Sequence, residues 1–177
     1  MSKRDLKKYL AELNKEQLEE QIIELYEKFI PVKTFYDFVF NPKEDKLLQE
    51  SKTKISHEYF PIKKPNAKWR PKAKMRRSVA QKMIKHFIVL GVDPFIIADL
   101  MLYNIEIAQT FSSGNFVKQE LFYKSIFNSF EQAVNFIISN GILSEFKTRI
   151  LEIQQQTIQQ KWKNKYDFEA ILDKIDL

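Results

Sequence analysis

Apolar residues recur at helical spacing along most of the chain, and the most apolar stretch runs from Asp93 to Phe111. Asp93 is a favoured helix N-cap, and Pro94 suits the first helical position, where its missing N–H costs nothing. A narrow polar stripe interrupts the apolar surface at Asp99, Tyr103, Glu106 and Thr110. A helix that is apolar on most sides belongs in the interior of a fold. The pattern therefore predicts a central helix over residues 93–111.

Two tight helical hairpins are predicted from the breaks in this periodicity. A helical stripe over residues 74–90 is followed by Gly91, which suits a left-handed C-terminal cap, and the central helix begins at once. A connection this short requires two antiparallel helices. The helical patterns of residues 116–140 and 143–162 are likewise separated only by Asn140-Gly141.

The remaining elements are also predicted to be helices. Capping signals begin helices near Ser2 and Asn14, and a last short helix follows Asp167. Residues 32–40 are dense in aromatic side chains and are interpreted as a short buried helix, with a strand as the alternative. The sequence thus predicts an all-α fold, a single compact multi-helix domain over residues 1–177, built from αα-hairpins around the central helix.

A basic loop separates the two halves of the chain. Residues 61–73 contain three prolines and five cations, so they cannot form a helix. The formal net charge is +6, and between Tyr59 and Val92 there is no acidic residue. Ten cations lie in that interval: Lys63, Lys64, Lys68, Arg70, Lys72, Lys74, Arg76, Arg77, Lys82 and Lys85. The charge is therefore concentrated, and the rest of the chain is net acidic.

Self-repulsion among these cations predicts a counter-charge. The acidic helices of residues 12–27 and 44–50 supply it within the domain on one interpretation, and an acidic protein partner or a nucleic acid supplies it on the other. Trp69 has no apolar neighbour in sequence, so it either docks on the domain or stays exposed for a ligand. The predicted partner-binding surface comprises Lys63, Lys64, Lys68, Trp69, Arg70, Lys72, Lys74, Arg76 and Arg77.

Sequence signals for catalysis are weak. The chain has no cysteine, and its three glycines all fall at helix breaks, so no phosphate-binding loop is predicted. We expect no catalytic, cofactor-binding or metal-binding residue and no enzyme. The alternative is a dispersed site around His86, Asp99 and Glu106. We expect instead that these two carboxylates face the helix of residues 74–90 across the Gly91 hairpin, in a structural role. In an antiparallel pair, Asp99 would lie opposite Lys85 and His86, and Glu106 near Arg77 or Ser78.

The compartment follows from what the sequence lacks. The first ten residues, MSKRDLKKYL, contain no apolar stretch of the signal-peptide kind. The most apolar run includes Asp99, Asn104 and Glu106, which argues against a membrane span. A cytoplasmic protein is therefore expected, without membrane contact and with its oligomeric state open.

Three stretches resemble an uncharacterised bacterial family of small helical proteins, a domain of unknown function. They are MSKRDLKKYL, FYDFVFNP and RRSVAQKMIKHFIVLGVDPFIIADLMLYNIE, of which the run RRSVAQK…HF…LGVDP is the most specific. The resemblance covers most of the chain. It implies a cytoplasmic bacterial setting and one helical domain, and it assigns no site residues.

Three classes of function follow in order of preference. The first is a non-catalytic interaction module whose basic surface, residues 63–85, binds an acidic protein partner. The second is a protein that binds RNA or single-stranded nucleic acid by contacting the phosphate backbone of the nucleic acid. The third is an enzyme with the dispersed site described above.

Overall fold

The computed structural model describes residues 2–63, 65–69, 71–118 and 120–174, and these residues form nine helices and no strand. The helices are α1 (Lys3–Ala11), α2 (Lys15–Lys28), α3 (Ile30–Phe40), α4 (Glu44–Tyr59), α5 (Arg77–Leu90), α6 (Pro94–Gly114), α7 (Glu120–Ser139), α8 (Leu143–Gln159) and α9 (Lys165–Asp173). The predicted all-α class is confirmed. None of the described helices has both the length and the apolar character needed to cross a membrane.

The helices belong to two compact units. The first unit, Met1–Lys43, contains α1 to α3, and the second unit, Glu44–Leu177, contains α4 to α9. Each unit is a separate group of packed helices. A single domain over residues 1–177 therefore stays a prediction.

Helix α6 is the centre of the second unit, as the sequence predicted. It packs against α4, α5, α7 and α8. Leu100, Leu102 and Ile105 are fully buried along it. The carboxylate of Asp93 accepts a hydrogen bond from the N–H of Phe95 at 2.8 Å and caps the helix. Burial on nearly every side explains why the sequence of α6 has so narrow a polar stripe.

Both predicted hairpin turns are present. Gly91 has a φ of +71°, and the N–H of Val92 donates to the carbonyl of Phe87 at 3.1 Å. Gly141 has a φ of +69°, and the N–H of Ile142 donates to the carbonyl of Ile137 at 3.2 Å. Glycine adopts this left-handed conformation without the steric cost of a side chain. These turns end α5 and α7 and allow α6 and α8 to begin directly afterwards.

An aromatic cluster joins α7 and α9. The ring of Phe168 lies 4.8 Å from Phe130, 5.4 Å from Phe127 and 5.9 Å from Trp162, measured between centroids. Phe168 and Phe130 are completely buried. The short helix α9 is therefore held to the second unit by Phe168 together with two further buried side chains, Ile171 and Leu172.

The first unit is less well packed. Capping boxes at Ser2 and Asn14 begin α1 and α2, as predicted, and α3 is a helix as expected. The expected burial of α3 is wrong, because Phe40 is 80% exposed and no described residue of the unit is buried. Three short helices cannot enclose a core, so an aromatic-rich sequence did not lead to burial.

Candidate interaction surface

A loop connects α4 to α5, and its far end is fixed to the last turn of α4. The backbone N–H groups of Lys74 and Met75 both donate to the carbonyl of Glu58, at 2.9 and 3.0 Å. Between Tyr59 and Arg77 the described residues contain no helix. The prediction of a proline-containing loop over residues 61–73 is thus confirmed for the residues that the structure describes.

Two arginines of the predicted surface have partners within the second unit. The guanidinium of Arg76 donates two hydrogen bonds to the carboxylate of Glu58, from Nε to Oε2 at 2.9 Å and from Nη2 to Oε1 at 2.7 Å. These hydrogen bonds lower the pKa of Glu58. Arg77 is partly buried, and its guanidinium donates to Ser129 at 3.0 Å and to Gln132 at 3.2 Å. Both arginines therefore support the fold in addition to any external contact.

The lysines of the loop differ from these arginines. Lys63, Lys68 and Lys72 are exposed, and among the described residues of the second unit no carboxylate forms an ion pair with them. Lys74 is also exposed, but its charge helps to lower the pKa of Glu58. On α4, Glu50 pairs with Lys46 instead. Residues 44–50 therefore do not neutralise these lysines through any ion pair described.

Trp69 is 77% exposed, so it is not docked on the body of the protein. The sequence had left docking and exposure open, and the structure supports exposure. Two other members of the predicted surface, Lys64 and Arg70, lie outside the described residues.

The basic surface continues along the outer face of α5. Lys82, Lys85 and His86 are exposed there. Ile88 and Val89 follow in the last turn, 50% and 59% exposed. The opposite face of α5 is buried in the core, so this mixture of cationic and apolar side chains is held on a fixed scaffold.

The carboxylates of α6 do not face α5, and the predicted pairing with Lys85, His86 and Arg77 is wrong. Arg149 on α8 binds both of them. Its Nη1 donates to Asp99 at 2.6 Å, its Nη2 donates to Glu106 at 2.8 Å, and its Nε donates to the second oxygen of Glu106.

Lys52 on α4 completes this ion cluster. Its Nζ lies 2.5 Å from Oδ2 of Asp99 and 5.2 Å from the centre of the Tyr103 ring. Two cations therefore balance the carboxylates of Asp99 and Glu106, and the cluster connects α4, α6 and α8. The structural role predicted for the two carboxylates is consistent with this arrangement, although the partners differ.

The interactions within the cluster keep Asp99 and Arg149 ionised. Burial would raise the pKa of Asp99, but the hydrogen bonds from Lys52 and Arg149 outweigh it, and the pKa lies below its ordinary value. Burial likewise would lower the pKa of Arg149, and its two carboxylate partners raise it instead. An ionised carboxylate held by two cations is poorly suited to exchange protons with a substrate.

The dispersed catalytic site is not assembled around this cluster. His86 is exposed on α5, and its side chain has no hydrogen bond or ion pair in the described part of the chain. Glu106 borders a shallow groove of about 530 Å³ together with glutamines of α6 and α8, but neither His86 nor Asp99 lines it. Among the described residues, no three His, Asp or Glu side chains are grouped as a metal ion requires.

Arg149 was missed in the sequence, although a signal for it exists. It lies three residues after Phe146 and four before Ile153, both buried, and thus on the inward side of α8. A cation on an apolar stripe indicates a buried or half-buried acidic partner. The apolar stripe of α8 does not show which helices pack against it, so the acidic partner of Arg149 could not be identified from the sequence.

Acidification should weaken the fold through Asp99 and Glu58. Their folded pKa values are lowered, so the unfolded chain takes up protons first as the pH falls. The stability they contribute is present above their ordinary pKa of about 4 and is lost below it. Urea denaturation between about pH 5 and pH 3 should show a falling free energy of unfolding. The slope should be shallower in Asp99→Asn, and parallel slopes would contradict the assignment to Asp99.

Comparison with known proteins identifies the family. The model of a family of unknown function, DUF6155, matches residues 1–176, and the chain belongs to that family. No curated protein and no solved structure gives a significant match. The predicted resemblance to an uncharacterised family is thereby confirmed, while a bacterial origin stays a prediction.

Proposed function

We propose that this member of the DUF6155 family is a non-catalytic interaction module that binds an acidic segment of a protein partner. The observation that carries the proposal is the outer face of α5. There Lys82 and Lys85 stand beside the exposed apolar residues Ile88 and Val89. The loop lysines extend this basic surface toward Trp69.

The combination of charge and apolar area favours a protein partner. Protein interfaces combine an apolar centre with a polar and charged rim, and aromatic side chains are enriched in them. Complementary charge accelerates association and selects the partner, while the apolar contacts slow dissociation. An acidic amphipathic helix or strand offers both, whereas a phosphodiester backbone offers mainly charge.

Preorganisation supports the same function. Ala80, Ile84 and Phe87 anchor the inner face of α5 in the core, with exposed fractions of 2% or less. The outer face therefore loses little conformational freedom when a partner binds. The carboxylates of the ion cluster are already paired with Arg149 and Lys52, which favours binding over catalysis.

Single-stranded nucleic acid is the second candidate, and the exposure of Trp69 favours it. An exposed indole stacks on any base, with a contribution of about 1–3 kcal/mol. Lys68 and Lys72 lie within three residues of Trp69 and are exposed, as phosphate contacts require. This candidate uses the loop and makes little use of Ile88 and Val89.

The test is a fluorescence-anisotropy titration with two probes, a Glu-rich peptide carrying Leu and Phe and a single-stranded RNA or DNA. We expect the peptide to bind, and more weakly at about 200 mM than at about 50 mM salt. Lys82→Gln with Lys85→Gln should weaken peptide binding about fivefold, since each exposed ion pair contributes modestly. Val89→Ser should weaken it independently of salt.

A matched control removes the same charge elsewhere. Lys124→Gln with Lys147→Gln changes two exposed lysines on α7 and α8. An equal loss of affinity in this control would show a general charge effect and contradict the proposed surface. Binding of RNA or DNA but not peptide, with the affinity lost in Trp69→Ala, would put the nucleic-acid function first.

A further inference from the structure

The first unit presents apolar helix faces to solvent. On α1, Leu6, Tyr9 and Leu10 share one face and are 37–48% exposed. Ile22 and Leu25 on α2, with Phe29 at its C-terminal cap, do the same at 45–52%. Single exposed apolar residues are ordinary, but two aligned faces on neighbouring helices indicate an interaction site.

The unit cannot bury these faces by its own packing. Helix α2 packs on α3, where the hydroxyl of Tyr26 donates to Asp37 at 2.8 Å. Helix α1 is linked to α2 by a hydrogen bond from Gln21 to the hydroxyl of Tyr9 at 2.6 Å. No described residue of the unit is buried, and about 40 residues seldom form a stable core alone.

The two helices carry opposite net charges. Four of the nine residues of α1 are cations and one is acidic. Five of the fourteen residues of α2 are glutamates and two are lysines. Contact between α2 helices of two copies would bring like charges together, whereas α1 against α2 brings opposite charges together.

We propose that the first unit is a dimerisation element whose partner is the first unit of a second copy. Helix α1 of one copy lies on α2 of the other, and the twofold axis repeats this contact once. The apolar faces provide the burial, and the opposite charges select this pairing of helices. The inference concerns residues 3–29 and is independent of the basic surface of α5.

Sedimentation velocity of the full chain over a range of concentrations tests the proposal. We expect a mass of twice the 21.2 kDa of one chain. Ile22→Glu with Leu25→Glu should sediment as a monomer, because charge then lies within the apolar contact. The matched control Leu121→Glu changes a side chain of α7 that is 78% exposed and should leave the dimer intact.

Charge reversal gives a second test that keeps the apolar faces unchanged. Lys7→Glu and Glu19→Lys, made separately, should each weaken the dimer about tenfold, because a twofold axis repeats every contact. Both changes in one chain should restore most of the affinity. The proposal would be overturned if the native chain were monomeric at about 100 μM. It would also be overturned if the variant with both reversals dimerised no more tightly than the variants with one. Either result leaves peptide binding at α5 unaffected.

Discussion

Changing Phe168 to Ala is expected to lower the free energy of unfolding by about 3–5 kcal/mol. The side chain is completely buried, and its ring contacts Phe130, Phe127 and Trp162. Truncation removes the transfer free energy of the ring and leaves a cavity that neighbouring rings fill only in part. Three aromatic contacts are lost at the same time, each with a preferred geometry.

Equilibrium urea denaturation measures this effect, with the midpoint compared at constant slope. Tyr166→Ala is the matched control on α9, because that ring is 67% exposed. It should change the free energy of unfolding by less than about 0.5 kcal/mol. A loss below about 1 kcal/mol for Phe168→Ala would show that α9 contributes little to the core.

The second large effect is expected at the ion cluster. Arg149→Met should destabilise the protein by about 2 kcal/mol, because Glu106 loses its described partner and Asp99 retains only Lys52. A fully buried pair would cost about 3–5 kcal/mol, but these side chains are 25–34% exposed and water screens part of the loss. Methionine keeps most of the side-chain volume, so the change is mainly electrostatic.

Urea denaturation of a double-mutant cycle separates the charge effect from packing. Glu106→Gln in the Arg149→Met background should recover part of the loss, since an unpaired charge is removed. Lys147→Met, two residues away and exposed, is the control and should be nearly neutral. If Arg149→Met and Lys147→Met had equal effects, the cluster would not stabilise the fold.

Some helix ends were predictable because their signals are local, although α6 continues to Gly114 beyond the predicted Phe111 and α9 begins at Lys165, before the predicted cap at Asp167. Asp93 and Pro94 begin α6, and Gly91 ends α5 by adopting a positive φ that other residues avoid. These effects act within a few residues, so neighbouring sequence is enough to define them. The same holds for the loop of residues 61–73, where proline alone prevents a helix.

The partners of side chains could not be predicted in the same way. Asp99 was expected to pair with α5 because that helix is its neighbour in sequence, but α4 and α8 supply Lys52 and Arg149. Helix packing places residues about 50 positions apart next to each other, and amphipathic patterns do not state which helices meet. The interior location of Asp99 was visible in sequence, while its partners were not.

The basic surface was predicted in part. Charge counting located the cluster of cations, yet Arg76 was already neutralised by Glu58, the last acidic residue before the loop. A count of net charge between two positions ignores acids just outside the interval. Exposure of Trp69 likewise depended on the whole fold, because a single tryptophan in a polar stretch is compatible with docking or with solvent.

Because Glu58 holds the end of the loop, a change in loop length should cost little free energy of folding. Glu58 binds the chain at residues 74–76, so the intervening segment begins and ends at nearly the same point. For such a closed loop, doubling the number of residues costs only about 0.6 kcal/mol in chain entropy. Residues can therefore be inserted at the exposed positions of the loop, for example as a grafted recognition sequence, while α4 and α5 keep their packing.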